Sequence, residues 1–171
     1  PFWLLRRCYA YYRLKQTMAA LYLSLGANQG DRKKALETAT EYISERIGRI
    51  VQASAVYETE PWGFDSNNLF LNQVLCIDTT LDAVDILDLT QQIEIEMGRA
   101  TKSSNGVYSD RVIDIDILLY GDICIQTERL TIPHPLMQKR RFVLEPLAEI
   151  AAHVVHPISE KTIKELLEQA D

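Results

Sequence analysis

Residues 110–121 read DRVIDIDILLYG, and the short run of branched apolar residues within them predicts a β-strand. Two acidic residues, Asp114 and Asp116, interrupt that run two positions apart. Side chains two positions apart in a strand project from the same face, with Cα atoms about 6.6–6.8 Å apart, so the sequence predicts neighbouring carboxylates. Two neighbouring like charges are unfavourable unless a positive charge lies between them. A hard cation such as Mg²⁺ would suit that position, but a solvated face of an antiparallel sheet would also accommodate the pair.

The composition is that of an ordinary globular protein. The chain has 171 residues, of which 47% are hydrophobic and 25% charged, which is enough for one domain with a sizeable core. The net charge of −6 argues against a non-specific nucleic-acid binder, and no apolar run is long enough to cross a bilayer. The three cysteines show no paired spacing, and Cys76 and Cys124 lie in apolar runs. We therefore expect buried, reduced thiols in a cytoplasmic protein.

Residues 1–17 differ from the rest of the chain, because they contain several basic residues and no acidic residue. Arg6 and Arg7 interrupt an apolar stretch that is already too short for a secretory signal. The segment could be a basic amphipathic surface helix, but a cloning remnant or sequence upstream of a start at Met18 is favoured. We predict a non-core extension over residues 1–17 and a single domain over residues 18–171.

The periodicity of apolar residues predicts the order strand, helix, strand, strand, helix, strand. This order is the split βαβ or ferredoxin-like pattern (βαββαβ), an α+β fold in which helices pack on an antiparallel sheet. Asp31 is the expected N-cap of the first helix, and Gly48 ends it. The expected strands cover residues 20–27, 50–57, 70–78, the aspartate stretch, 123–125 and 129–132, and the expected helices cover residues 32–47, 81–97, 142–150 and 160–170.

Six motifs along the chain follow one another in a recognisable order. They are SLGANQGD at 24–31, YETEPWG at 57–63, FLN at 70–72, RVIDIDILLYG at 111–121, PH at 133–134 and RRFVLEPL at 140–147. Together they resemble the 6-hydroxymethyl-7,8-dihydropterin pyrophosphokinase family of folate biosynthesis, over residues 21 to about 157. The resemblance implies an enzyme that transfers pyrophosphate from ATP to the hydroxymethyl group of the pterin and releases AMP. It implies a monomer whose partners are these two small molecules, with no nucleic acid and no membrane.

The resemblance also implies roles for charged residues. Asp114 and Asp116 would hold two Mg²⁺ ions on the ATP phosphates, which would neutralise the phosphate oxygens and align the reacting groups. Guanidinium groups match phosphate oxygens in geometry and keep their charge. Arg99 and Arg111 would be catalytic together with the two aspartates. The positions that match the family's ATP contacts are Glu94, Arg99, Arg111, His134 and Arg140.

The acceptor substrate is flat, aromatic and rich in hydrogen-bonding groups, so its site needs stacking faces and a side-chain amide. By resemblance, Phe70 and Phe142 are the two sandwiching aromatic residues and Asn72 is the amide. Thr59 and Trp62 belong to the loop that lines the same pocket.

Structural explanations remain open for several of these residues. Arg99 could be a cation at a helix C-terminus, Glu94 could be one of several acids on its helix, and the two phenylalanines could be core residues. His153 and His156 have no further ligand motif near them, so we expect surface residues rather than a zinc site.

Two other functions remain open at this point. One is a different two-metal enzyme on the same scaffold, such as a nucleotidyltransferase or a nuclease, in which the aromatic residues and the amide would have no reason to converge. The other is a non-catalytic ligand-binding module, which would tolerate the loss of both aspartates.

Overall fold

A five-stranded antiparallel sheet forms the centre of the computed structural model, which describes residues 19–98 and 110–170. The strands lie side by side in the order β2-β4-β1-β5, and β3 pairs with β4 farther along the edge that β2 also uses. Their bounds are β1 Ala19–Ala27, β2 Arg49–Ala53, β3 Tyr57–Thr59, β4 Phe70–Thr79 and β5 Asp114–Tyr120.

Helices cover both faces of this sheet. Buried side chains of α1 (Arg32–Arg46) and α2 (Ala83–Glu96) form one hydrophobic core with one face. Buried side chains of α3 (Arg141–Ala151) and α4 (Ile163–Glu168) form a second core with the other face. The predicted ferredoxin-like α+β fold is therefore confirmed, with α3 and α4 added on the second face. The remaining elements are the antiparallel strands β6 (Ile125–Gln126) and β7 (Thr131–Ile132) and a 3₁₀ turn, Met137–Lys139.

The alternation of β1 explains how the fold leaves room for a site. Leu21, Leu23 and Leu25 are fully buried against the first core, whereas Tyr22 faces the second. Side chains two apart share a face, so Ser24 and Gly26 continue the Tyr22 side of the sheet. Both line a cavity there instead of a helix.

Local hydrogen bonds explain two differences from the predicted elements. The predicted strand over 50–57 is divided into β2 and β3, because the Ala55 N–H bonds the Glu149 carboxylate, 3.0 Å away at Oε2. The predicted helix over 160–170 begins only at Ile163, because Thr162 is its N-cap in a capping box with Glu165.

Two expectations about single residues were wrong. Cys76 is buried as expected, but Cys124 is exposed, because it lies in the turn between β5 and β6 rather than in a buried strand. His153 is exposed as expected, but His156 is buried. Its Nδ1 accepts hydrogen bonds from the backbone N–H groups of Ile158 and Ser159, both at 3.3 Å, so it stabilises a turn.

The predicted extension over residues 1–17, the residue Arg99 and the polar loop that follows it lie outside the described residues. Within residues 19–98 and 110–170, no helix is both long enough and apolar enough to cross a membrane.

Candidate active site

The floor of the candidate site is a row of paired residues across three strands. Gly26 of β1 pairs with Asn72 of β4 on one side and with Asp114 of β5 on the other. Ser24 pairs with Asp116 one step further along. The two aspartates alternate with buried isoleucines in β5, so they share one face of the sheet, as the sequence predicted. That face is not simply solvated, because two cavities open onto it.

The first cavity is lined largely by aromatic side chains. The ring centroids of Trp62 and Phe142 lie 6.3 Å apart, and Phe64 meets Phe70 edge to face at 6.2 Å. The volume is about 50 Å³, between the shares of liquid volume of one and of two water molecules, at about 30 Å³ each. Its lining residues are Ser24, Gly26, Thr59, Glu60, Trp62, Phe64, Phe70, Asn72, Arg111, Asp114, Asp116, Arg140 and Phe142.

A single amide supplies the directional polar group among these rings. Asn72 is buried, and its Nδ2 donates to Thr59 Oγ1 at 2.7 Å. A Cβ placed on Gly26 would come within 3.1 Å of Asn72 Oδ1, so the absence of a side chain there makes room for that oxygen. The amide is thereby oriented with its donor group on Thr59 and its acceptor oxygen over Gly26.

The second cavity is larger and more polar, with a volume of about 370 Å³. It lies between α2, the outer side of β5 and the segment from β6 to the 3₁₀ turn. Besides the residues that it shares with the first cavity, it is lined by Leu87, Thr90, Gln91, Glu94, Ile115, Ile117, Thr127, Glu128, Arg129, Leu130, Thr131, His134, Pro135 and Leu136.

Four charged residues form a wall common to both cavities: Arg111, Asp114, Asp116 and Arg140. Arg111 Nη1 lies 2.6 Å from Asp114 Oδ2, and Arg140 Nη1 lies 3.5 Å from Asp116 Oδ2. Both arginine side chains are largely buried, at 9% and 7% exposure. The Arg140 guanidinium also lies 4.9 Å from the centroid of the Trp62 ring, in cation–π geometry.

His134 borders this wall with a defined tautomer. Its Nδ1 accepts from the Leu136 N–H at 3.1 Å, so the hydrogen of the neutral ring is on Nε2, which lies 3.9 Å from Asp116 Oδ2. Burial, and secondly the charge of Arg140, lower the pKa of His134 to about 4. The ring is therefore neutral near pH 7 and presents an N–H donor to the second cavity.

Glu94 reaches the same strand from α2. Its carboxylate is buried, and Oε1 accepts from the backbone N–H of Ile115 at 2.8 Å. Ile115 separates the two aspartates in the chain, so Glu94 fixes the strand that carries them as well as lining the second cavity.

The aspartates fit a hard divalent cation as an open site. Their carboxylates remain partly accessible, at 23% and 35% exposure, and provide the oxygen donors that Mg²⁺ prefers. Among the residues that the structure describes, no group of three or more His, Cys, Asp or Glu side chains could hold a metal ion by itself. Water and substrate oxygens would therefore complete the coordination of an ion bound here.

The structure brings together all of the predicted site residues that it describes: Thr59, Trp62, Phe70, Asn72 and Phe142 in the first cavity, Glu94 and His134 in the second, and Arg111, Asp114, Asp116 and Arg140 between them. Arg99 lies outside the described residues. The roles assigned to these residues remain predictions.

Sequence reasoning missed several lining residues. Ser24 and Gly26 could have been found from the alternation of β1, since they share the face of Tyr22. Phe64 and Arg129 gave no comparable signal, because each lies in a loop whose path the local sequence does not determine.

Two kinds of comparison place the chain among known proteins, one by sequence and one by fold. A family model described as 7,8-dihydro-6-hydroxymethylpterin-pyrophosphokinase (HPPK) matches residues 22–152. A Porphyromonas gingivalis protein named 2-amino-4-hydroxy-6-hydroxymethyldihydropteridine pyrophosphokinase is 50% identical over 141 residues, covering 82% of this chain and 95% of that protein. The folic acid synthesis protein fol1 of Schizosaccharomyces pombe is 39% identical over 149 residues, which cover 86% of this chain but 20% of fol1.

A solved structure shows the likeness in fold. The wild-type HPPK-DHPS of Plasmodium falciparum superposes on 90% of this chain with a TM-score of 0.73, at 18% sequence identity. The chain spans 45% of that protein's length.

Proposed function

This chain belongs to the 7,8-dihydro-6-hydroxymethylpterin-pyrophosphokinase family, and from that membership we propose which cavity receives each substrate. The reaction transfers pyrophosphate from ATP to the hydroxymethyl group of 6-hydroxymethyl-7,8-dihydropterin in folate biosynthesis and releases AMP. The observation that carries the proposal is the wall of two aspartates and two arginines shared by both cavities. Substrates that entered from opposite sides would meet at this wall.

The first cavity is the proposed pterin site. Phe70 and Phe142 provide the stacking faces, and Thr59 and Trp62 line the rim. Asn72 Oδ1 can accept a hydrogen bond from the pterin ring, since its Nδ2 already donates to Thr59.

The second cavity is the proposed ATP site. Its volume of about 370 Å³ falls in the range of small-molecule sites. Glu94 lines one side, and the His134 Nε2–H can donate to a phosphate oxygen. Arg111 and Arg140 lie where the phosphates would reach the wall, and Arg99 has its predicted catalytic and ATP-binding role from the family match alone.

At the wall, the pterin hydroxyl oxygen forms a bond to the β-phosphorus of ATP. The bond from that phosphorus to the α–β bridging oxygen breaks, so AMP leaves with this oxygen, and the hydroxyl proton passes to water. Two Mg²⁺ ions, held by Asp114 and Asp116, would neutralise the phosphate oxygens when bound. The guanidinium groups of Arg111 and Arg140 supply fixed positive charge for the negative charge that develops on the leaving oxygen.

We also propose that the enzyme acts as a cytoplasmic monomer. Both cavities are lined by residues of the same chain, which supports a monomer. The absence of paired cysteine spacing favours a reducing compartment.

The activity is tested by incubating the full chain with ATP, Mg²⁺ and 6-hydroxymethyl-7,8-dihydropterin, and measuring AMP. We expect AMP to form only when the pterin is present, in equal amount to the pyrophosphorylated pterin. Release of AMP without pterin, or no AMP at all, would contradict the proposal. A nuclease or a nucleotidyltransferase would not depend on the pterin.

Asp114→Asn and Asp116→Asn test the aspartate pair directly. Each removes a charged ligand while keeping the shape of the side chain, and we expect kcat to fall by about 10²- to 10³-fold, the range for lost electrostatic stabilisation of a transition state. Asp122→Asn, in the exposed turn after β5, is the matched control and should retain wild-type kcat. Full activity of both site variants would favour a binding module whose aspartates are dispensable.

A further inference from the structure

Three separate chain segments meet beside Arg111 through one set of side chains, which we name the Asp110 network: Asn28, Ser66, Asn68 and Asp110. The Asn28 Nδ2 group donates to Asp110 Oδ1 at 2.6 Å, and the Asn68 Nδ2 group donates to Asp110 Oδ2 at 2.7 Å. Hydrogen bonds, first from Ser66 and then from the two amides, hold the pKa of the Asp110 carboxyl below its usual range. The network joins the loop after β1, the loop before β4 and the residues that lead into β5.

Asn28 also holds the main chain of Arg111 from both sides. Its backbone N–H donates to the Arg111 carbonyl oxygen at 3.1 Å, and its Oδ1 accepts from the Arg111 N–H at 2.8 Å. Asn28 is only 3% exposed. Since Oδ1 is used by Arg111, Nδ2 has to point at Asp110, and the amide has one possible orientation.

The side chain of Arg111, whose main chain Asn28 bonds, is itself held in place. Arg111 has 9% side-chain exposure and ends 2.6 Å from Asp114, on the wall shared by both cavities. The other arm of the network, through Ser66 and Asn68, belongs to the loop that contributes Phe64 to the first cavity. The network therefore connects the main chain of a phosphate-side arginine with the loop on the pterin side.

We propose that Asn28 and Asp110 are positioning residues for the pyrophosphoryl transfer: they fix Arg111 at the wall between the two substrates, and couple it to the loop of residues 60–69. This inference rests on the proposed function, because it assigns a role within that reaction. A displacement of about 1 Å at a reacting centre can cost about 100-fold in rate, which is the size of effect expected when the main chain of Arg111 is released.

The donors and acceptors of Asn28 and Asp110 allow a test in which the two residue types are exchanged. Asn28→Asp still accepts from the Arg111 N–H, but places a carboxylate oxygen against Asp110 Oδ1, 2.6 Å away in the wild type. The double variant Asn28→Asp/Asp110→Asn restores complementarity, because Asn at 110 can donate to Asp at 28 and still accept from Asn68. It also restores the net charge. It loses the long bond from Asn28 Nδ2 to the Asn68 carbonyl at 3.4 Å.

The measurement is kcat and KM for both substrates, alongside the urea midpoint of unfolding. In Asn28→Asp, repulsion between the carboxylates at 28 and 110 should displace the Arg111 main chain that residue 28 still bonds, so we expect kcat to fall by about 100-fold. The effect on either KM should be smaller, since an interaction that matters most in the transition state appears in kcat. The double variant should recover at least about a tenth of wild-type kcat. Asn67→Asp adds the same charge in the loop before β4, where Asn67 makes no side-chain hydrogen bond within the described residues, and should be neutral.

Two outcomes would overturn the inference: wild-type kcat in folded Asn28→Asp, or a double variant no better than Asn28→Asp alone. A purely structural role would lower the unfolding midpoint and leave kcat of the folded protein unchanged, which also counts against it. If Asn28→Asp does not fold, Asp110→Ala replaces it: a loss of kcat supports the inference, and full kcat overturns it. Absence of pterin-dependent AMP from the wild type would instead remove the proposed function itself.

Discussion

The orientation of the Asn72 amide determines which hydrogen-bonding group of a ligand the first cavity can bind. Asn72 has a donor and an acceptor, and Thr59 takes the donor at 2.7 Å. The acceptor oxygen therefore remains for a ligand N–H group, and an inverted amide would present a donor instead. Selectivity at this position depends on the neighbouring hydroxyl as much as on Asn72 itself.

We predict that Thr59→Val weakens pterin binding by about 1–2 kcal/mol, or roughly 5- to 30-fold in Kd, because the buried Nδ2 of Asn72 loses its acceptor. Calorimetric titration with the pterin measures this. Thr40→Val on α1 removes a hydroxyl that bonds only the Leu36 carbonyl within its own helix, so it should leave Kd unchanged. Equal affinity of Thr59→Val and wild type would show that Thr59 does not orient the amide.

At the scale of single residues, the sequence predicted which residues belong to the site better than it predicted their hydrogen-bond partners. The carboxylate pair was visible because Asp114 and Asp116 break an apolar run with strand periodicity. The hydrogen bonds that join Asn28 to Asp110 and to Arg111 were not visible in the sequence. They connect positions that are 82 and 83 residues apart in the chain. Such contacts depend on which loops the folded sheet brings together.

Among the elements, the turn between α3 and α4 shows how a side chain can replace regular structure. His156 is 2% exposed, and its Nδ1 accepts from two backbone N–H groups of the turn. Burial lowers the pKa of His156. Protonation would turn the acceptor Nδ1 into a donor and break both bonds.

This turn predicts a pH dependence of stability. Between the ordinary histidine pKa of about 6.5 and the lower pKa of folded His156, the unfolded chain binds more protons, so acidification favours unfolding. From pH 7.5 to 5.5 the wild type should lose more unfolding free energy than His156→Gln, which cannot titrate. Urea unfolding at both pH values measures the difference.

The exposed His153 provides the matched control. His153→Gln should lose as much stability on acidification as the wild type, since it leaves both bonds from the turn to His156 in place. If His156→Gln also showed the wild-type pH dependence, the titrating group would lie elsewhere, for example at His134, whose pKa is also lowered.

Element order was predictable, and element ends were less so. The six elements of the ferredoxin-like core were found from apolar periodicity alone. The division of β2 from β3 depends on Glu149, a residue of α3 that is distant in sequence, so no local pattern indicated it. The start of α4 was locally encoded, because Thr162 and Glu165 form a capping box, and it could have been predicted.

For the molecule as a whole, the site occupies the part of the second sheet face that α3 and α4 leave uncovered. Tyr22, Val74 and Cys76 belong to the covered part, where they pack in the second core. Ser24 and Asn72 lie two residues away along the same strands and line the first cavity. One face of the sheet thus forms the second hydrophobic core along part of its length and the floor of the candidate site along the rest.

The basic, acid-free composition of residues 1–17 sets them apart from the rest of the chain, and we predict that they are dispensable. Within the described residues, β1 is paired with β4 over its whole length from Ala19. A chain starting at Met18 should show the wild-type urea midpoint and the same rate of AMP formation. A lower midpoint would place part of the extension in the fold.

The bond from Glu94 to the Ile115 N–H has a consequence for the protein's behaviour at high concentration. Within residues 19–98 and 110–170, β5 pairs in the main sheet with β1 alone. Apart from the Leu118 carbonyl oxygen, which accepts from the His134 N–H at 2.9 Å, its other edge could therefore accept a strand from another molecule. The Glu94 carboxylate occupies an N–H on that edge. At the opposite edge β2 is five residues long, and its register with β4 shifts between Ile50 and Gln52, which makes it a short and irregular template. In the part of the chain that the structure describes, both edges of the main sheet are thus protected against sheet-to-sheet aggregation, one by a buried acid of the candidate site and the other by a bulge.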